Sequence, residues 1–174
     1  KSIYKRVKML SYQDTHVTGV DVRQYYEDCE IHGTVDFICG GGDIFFNRAL
    51  LYLENRSGNV ITAPATSANC QYGYVFADCT IDGHEINKSS YCLGRPWKDS
   101  PRSIFINTTM NLLPRSQGWT DMSAYPALFA EYNSMNKNGE PIDLESRTNT
   151  FTVNNVSQTM SYSPELTKQE ADQY

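Results

Sequence analysis

A six-residue pattern recurs along the chain and restricts its fold more than any other feature. It reads aromatic, any residue, polar or basic residue, a variable position, any residue, aliphatic. Copies stand at Tyr26-Glu27-Asp28-Cys29-Glu30-Ile31, Phe45-Phe46-Asn47-Arg48-Ala49-Leu50, Phe76-Ala77-Asp78-Cys79-Thr80-Ile81 and Phe105-Ile106-Asn107-Thr108-Thr109-Met110, with a weaker one at Tyr4-Lys5-Arg6-Val7-Lys8-Met9. The aromatic positions are Tyr4, Tyr26, Phe45, Phe76 and Phe105, so the copies recur at uneven intervals, shorter between the early ones and longer between the later ones. Spacings of roughly 20–50 residues mark solenoids and other repeat architectures. Each copy is too short and too rich in Phe, Tyr and Ile for a helical pair, and its alternation of apolar and polar residues argues for short strands. Glycine and polar turns separate the copies, as at Gly40-Gly41-Gly42 and Arg56-Ser57-Gly58-Asn59. Strands stacked one coil upon the next predict an all-β parallel β-helix, with the uneven spacing absorbed by loops that build a binding face.

The expected organisation is a single domain over 1–174, with the repeat fading into a loop-rich tail from about residue 135. A short helix is expected to start at Ser163, as N-cap, with Pro164 in its first turn. A net charge of -5 and the absence of a Lys/Arg run set nucleic-acid binding aside. No apolar stretch approaches the roughly 20 residues needed to cross a bilayer. The 5 cysteines, Cys29, Cys39, Cys70, Cys79 and Cys92, show neither a CxxC pair nor zinc spacing, and read as buried small hydrophobes. His16, His32 and His84 read as turn or surface residues. Of the Asn-x-Ser/Thr sites at Asn55, Asn87, Asn107 and Asn155, Asn107 falls on the polar position of the repeat and is expected to bond backbone.

Asp14 and Asp36 are separated by the same interval as Tyr4 and Tyr26, the aromatic positions of the first two copies. Each aspartate also follows the closing aliphatic residue of its copy (Met9, Ile31) by five positions. Equivalent positions on successive coils stack about 4.8 Å apart, so the two carboxylates should be neighbours on one face. Such a pair can be two solvated turn aspartates or a calcium site. It can also divide into an acid and a nucleophile, because like charge raises one pKa while a nearby cation holds the other down.

The surrounding residues resemble the pectin methylesterase family. Tyr12-Gln13-Asp14-Thr15 contains its QDT motif, Gly33-Thr34-Val35-Asp36-Phe37-Ile38-Cys39-Gly40 follows its G-T-[IV]-D-F-I-F-G motif with one departure, and Leu93-Gly94-Arg95-Pro96-Trp97 matches its LGRPW motif. Gly118-Trp119 and Phe129-Ala130-Glu131-Tyr132-Asn133 are similar to its later segments. The resemblance implies a right-handed parallel β-helix and an esterase without a cofactor. It implies Asp36 as nucleophile, Asp14 as acid and then base, Gln13 as oxyanion donor, Arg95 as the partner holding Asp36 ionised, and Trp97 as a stacking wall for galacturonate. Phe37 is equally consistent with core packing or a sugar contact. The implied partner is methylesterified homogalacturonan (pectin), with no nucleic acid or membrane and a monomeric chain acting outside the cell or in the periplasm.

The family's second oxyanion glutamine would fall one coil before Gln13, ahead of Lys1, so the sequence reads as a C-terminal portion lacking the first coils and their cap. Cys39 replaces an aromatic residue beside the nucleophile, and Met122 stands where a second tryptophan is common. Alternatives are an esterase or thioesterase of the same fold acting on another substrate, a polysaccharide-binding β-helix without catalysis, and, more remotely, a pectate lyase.

Overall fold

The computed structural model describes residues 1–174. Its chain winds into stacked coils that build three parallel sheets, the first four coils contributing to all three and the later ones to two. The first coil carries β1 (Ser2–Lys5), β2 (Lys8–Leu10) and β3 (His16–Thr18), and the second β4 (Arg23–Glu27), β5 (Glu30–Gly33) and β6 (Val35–Gly40). The third carries β7 (Asp43–Asn47), β8 (Leu50–Leu53) and β9 (Val60–Pro64), and the fourth β10 (Tyr74–Ala77), β11 (Thr80–Gly83) and β12 (Cys92–Gly94). The remaining coils supply β13 (Arg102–Ile106), β14 (Thr109–Met110), β15 (Leu128–Tyr132) and β16 (Met135–Asn136). The sheets run β1-β4-β7-β10-β13-β15, β2-β5-β8-β11-β14-β16 and β3-β6-β9-β12. This is the expected parallel β-helix, with the right-handed connections that parallel strands adopt.

The register corrects one copy of the repeat. Tyr26 pairs with Phe46, not Phe45, and Phe46 pairs with Phe76. The inward aromatic of the third coil is therefore one position later than the repeat suggests. Side chains alternate faces along a strand, so this shift decides which phenylalanine enters the core: Phe46 is fully buried, whereas Phe45 points outward and stacks on Tyr25. Inside, Tyr4, Tyr26, Phe46, Phe76 and Phe105 form a continuous aromatic ladder with centroid spacings of 4.7, 4.9, 4.7 and 4.5 Å.

The polar position of the repeat has a backbone cause. Arg6, Asp28, Arg48, Asp78, Asn107 and Asn133 all have φ between 51° and 54°, the left-handed conformation that turns the chain from the first sheet to the second. Asn and Asp tolerate it better than most residues. Neighbouring coils then join side chains: Arg48 donates from Nε and Nη2 to both Asp28 oxygens (2.8 and 3.2 Å), Asn107 donates to Asp78 (3.1 Å), and Asn133 donates to Asn107 (2.8 Å). Asn107 thus bonds side chains rather than backbone, a correction to its expected role. Asn87 is buried and donates to three carbonyls, while Asn55 and Asn155 are exposed.

All five cysteines are free and buried, as expected. His16 is not a surface residue. It faces inward from β3, edge-on to Tyr26 (5.0 Å) and Phe46 (6.5 Å), where burial holds its imidazole below the usual range. His32 lies on the outer face, between Glu54 (2.8 Å) and Glu30 (2.5 Å).

At the far end the ladder stops because Glu131 occupies the position paired with Phe105. Glu131 is fully buried, accepts from Arg147 Nε (2.6 Å) and Ser134 Oγ (2.7 Å), and the aromatic packing detours through Trp119, Phe129 and Phe151. Phe151 comes from an antiparallel hairpin, β17 (Thr150–Val153) and β18 (Val156–Thr159), in the segment expected to be loops. Its turn residues Asn154 and Asn155 have φ of 49° and 63°, the pair of positive values a tight two-residue hairpin needs. The tail helix α1 (Lys168–Ala171) starts later than expected. Thr167 caps it in a reciprocal box with Glu170. Pro164, Glu165 and Leu166 are instead drawn into extended pairing, with Glu131 donating to the Pro164 carbonyl and Leu166 to that of Glu131.

Phe76 sits fully buried at the centre of the ladder. Phe76→Ala is expected to destabilise the chain by about 3–5 kcal/mol, read as a lower urea midpoint with unchanged slope. A loss under about 1 kcal/mol, the scale of a minor core change, would show that the stack contributes little.

Candidate active site

The third sheet presents the predicted site residues, and a local irregularity aims the central one. Val35 pairs with Val60 and Ile38 with Thr62, so Asp36 and Phe37 together oppose the single residue Ile61. This is a β-bulge, a device that bends a strand and redirects a side chain. Asp36 takes φ 53° and Phe37 turns into the core, fully buried. Gly33 makes the bend possible, since a Cβ there would lie 2.0 Å from the Phe37 Cβ. Phe37 is therefore a core residue, and its alternative reading as a sugar contact is corrected: its ring is sealed beneath the bulge that exposes the Asp36 edge.

Asp36 is 5% exposed and is held by a two-point ion pair. Arg95 Nε donates to Oδ1 at 2.8 Å and Nη2 to Oδ2 at 2.6 Å. Arg95 lies two coils further on. Its N–H donates to the Thr62 carbonyl while Gly94 pairs with Thr62, which sets Arg95 beside Ala63. From the fourth coil the guanidinium reaches back past the third to Asp36 on the second. The hydrogen bond to Asp36 holds Arg95 above its ordinary range. A carboxylate offers about four lone-pair sites. The two bonds to Arg95 leave others free.

Asp14 stands where the spacing placed it. β3 runs in register with β6, His16 to Ile38 and Val17 to Cys39, and Asp14 donates its N–H to the Val35 carbonyl at 3.2 Å. Its φ of 52° matches that of Asp36. Asp14 and the preceding Gln13 are exposed on the first coil, together with Tyr12 and Val17. The register thus brings Asp14, Asp36 and Arg95 together from three coils.

Trp97 is half-buried on the loop after β12. Its N–H donates to the Pro64 carbonyl (3.2 Å), and its own carbonyl accepts from Ser123 Oγ (2.6 Å). The Ser123 clamp was not foreseen, because nothing in the local sequence joins residues 97 and 123. Lys98 places its ammonium 5.0 Å from the Trp97 ring centre. Gly94 is required by close packing: a Cβ would meet Thr62 Oγ1 at 2.2 Å. The most consequential contact missed in the sequence is that of Cys39 Sγ with Asp14 Oδ1, at 3.8 Å.

The arrangement unites a desolvated, cation-fixed carboxylate with a solvent-facing one. Paired carboxylates of unequal exposure beside a cation are an arrangement that can divide into an acid and a nucleophile. Comparison with known proteins agrees with it. The pectinesterase family model matches residues 1–169. A pectinesterase/pectinesterase inhibitor of Prunus persica is 31% identical over 137 residues, covering 73% of this chain and 26% of the relative. The pectin methylesterase of Yersinia enterocolitica superposes with a TM-score of 0.77 at 28% identity, over 99% of this chain and 57% of that one. Another pectin methylesterase, solved in complex with a hexasaccharide, gives 0.75 at 27% identity over 99% and 54%. The chain spans about a quarter of the curated relative and somewhat more than half of each solved structure. With matched motifs, a shared β-helix and a family match over nearly its whole length, the chain belongs to the pectinesterase family.

Proposed function

We propose that this chain carries the catalytic centre of a pectin methylesterase, which hydrolyses C6 methyl esters of homogalacturonan to pectate and methanol without a cofactor. The observation that carries the reading is the nearly buried Asp36 carboxylate, gripped at two points by Arg95 and stacked one coil from Asp14. A structural ion pair needs no second carboxylate in matched register. An aspartyl esterase needs both.

In this reading a free Asp36 oxygen attacks the ester carbonyl. Arg95 balances the charge of the carboxylate and orients it, a task suited to a planar two-point donor. The Gln13 amide donates to the developing oxyanion, a contribution typically worth ~10²–10³ in rate. The tetrahedral intermediate collapses as Asp14, in its acid form, gives a proton to departing methanol. Asp14 then removes a proton from water, which attacks the acyl-enzyme and frees Asp36 and the new galacturonate carboxylate. One group serves as acid and then base. Trp97 offers its face to a sugar ring beside the reacting ester. A polysaccharide substrate sets the site of action outside the cytoplasm, secreted or periplasmic, and the chain acts as a monomer.

The test is pH-stat proton release from highly methylated pectin with methanol quantified. Asp36→Asn is expected to reduce release by at least about 10³-fold, the scale of losing a catalytic group, while the thermal melt stays cooperative. Retained turnover would refute the nucleophile. Turnover of acyl thioesters alone would move the assignment to another substrate, and pectin binding without methanol would make the chain a binding module.

Arg95→Lys probes the fork geometry. An ammonium cannot reproduce the paired Nε and Nη2 contacts, so kcat is expected to fall about 10- to 100-fold, a loss of roughly 1.4–2.7 kcal/mol. Wild-type kcat in that variant would reduce Arg95 to a structural role.

A further inference from the structure

Cys39 lies on the outward row of the third sheet, between Val17 on the first coil and Ala63 on the third. It is 5% exposed, so its sulfur is enclosed even though Val17 beside it is open. Its Sγ is placed to donate to Asp14 Oδ1 at 3.8 Å, within the reach of a sulfur donor. The charged groups facing this point are Asp14 and Asp36, with Arg95 already committed to Asp36. Burial, and then the charges of Asp14 and Asp36, push the thiol up to about 12. Cys39 is thus a protonated donor and not a thiolate.

We infer that Cys39 is a positioning residue for the acid/base group: its thiol hydrogen-bonds the Asp14 carboxyl and fixes its direction. This rests on the proposed role of Asp14. An aromatic side chain at this position could fill space but could not donate. A thiol that donates to a carboxylate stabilises it against its protonated form, so removing the thiol is expected to raise the pH at which that carboxyl releases its proton. Because Asp14 is exposed, a single enclosed thiol can fix its orientation where the surrounding packing does not.

The prediction is read directly by a carbon NMR titration of the aspartate carboxyls in the full chain, with the Asp14 signal assigned by its loss in Asp14→Asn. Cys39→Ala is expected to move the Asp14 midpoint upward by several tenths of a pH unit, the scale of one weak hydrogen bond. Cys39→Ser, which keeps a donor, is expected to return most of that shift. An unchanged midpoint in Cys39→Ala, or equal shifts in both variants, would overturn the inference and leave the cysteine a space-filler. On methylated pectin, Cys39→Ala is expected to lower kcat about three- to tenfold at little change in KM, with the alkaline limb of the pH profile moved upward and serine restoring both. Activity retained in Asp36→Asn would sink the catalytic reading by itself and leave the titration result standing.

Discussion

The hydrogen-bonded register between coils is the constraint on which the rest of the structure depends. Every interior strand of the three parallel sheets finds its backbone partners on the coil before and the coil after, and the turns continue the ladder, as where Asp28 donates to the Asn47 carbonyl and Asp78 to that of Ile106. Extra residues can enter only where the ladder is interrupted. The coils that begin at Tyr4, Tyr26, Phe46 and Phe76 differ in length because the connections between their strands differ, while the aromatic spacing inside stays between 4.5 and 4.9 Å. The same rule assembles the site. Asp14, Asp36 and Arg95 are far apart along the chain, and register makes them neighbours.

Two carboxylate–guanidinium pairs differ in how far register withdraws them from solvent. Glu131 and Arg147 have side chains 0% and 3% exposed, and they close the far end of the coil where the ladder stops. They bond each other, and Ser134 and the Ser116 carbonyl add one hydrogen bond to each partner, while Arg147 Nη2 is buried without a partner. Removing either partner would leave an uncompensated buried charge. Asp36 and Arg95 also pair a carboxylate with a guanidinium, but their side chains are 8% and 29% exposed, so the pair borders solvent. The Asp36 carboxylate is nearly enclosed, while the Arg95 side of the pair stays open to solvent.

Much of this was legible in the sequence. The repeat pointed to the β-helix, and the interval shared by the aspartates and the first two aromatic positions paired Asp14 with Asp36. The errors have physical sources. The doublet Phe45-Phe46 offers two aromatic candidates for one inward position, and only the strand register chooses between them. Phe37 follows an aspartate in an alternating strand, where the period predicts opposite faces, but a bulge and not the period determines how deep each residue lies. Ser163-Pro164 carries a helix-start signal that loses to extended pairing with Glu131, while the Thr167–Glu170 box, equally present in the sequence, wins where no strand competes. His16 lies on a strand whose inward side is aromatic, so its place follows from register rather than from its polarity.

The left-handed residues carry this reasoning one step further. Asp14, Asp28, Asp36 and Asp78 all have φ between 52° and 54°, and the backbone alone is reason enough for an aspartate at each. The conformation therefore does not identify a catalytic group. What divides them is the neighbourhood that register supplies. Asp28 receives Arg48 from the next coil and Asp78 receives Asn107, both in a turn that only joins two sheets. Asp36 sits on a bulge, nearly buried and paired with an arginine from two coils further on, and Asp14 meets an enclosed thiol. A residue tolerated for its backbone becomes useful for its charge when the coils around it provide a cation, a donor and a dry wall. A solenoid can vary those neighbours one coil at a time without disturbing the ladder that holds them.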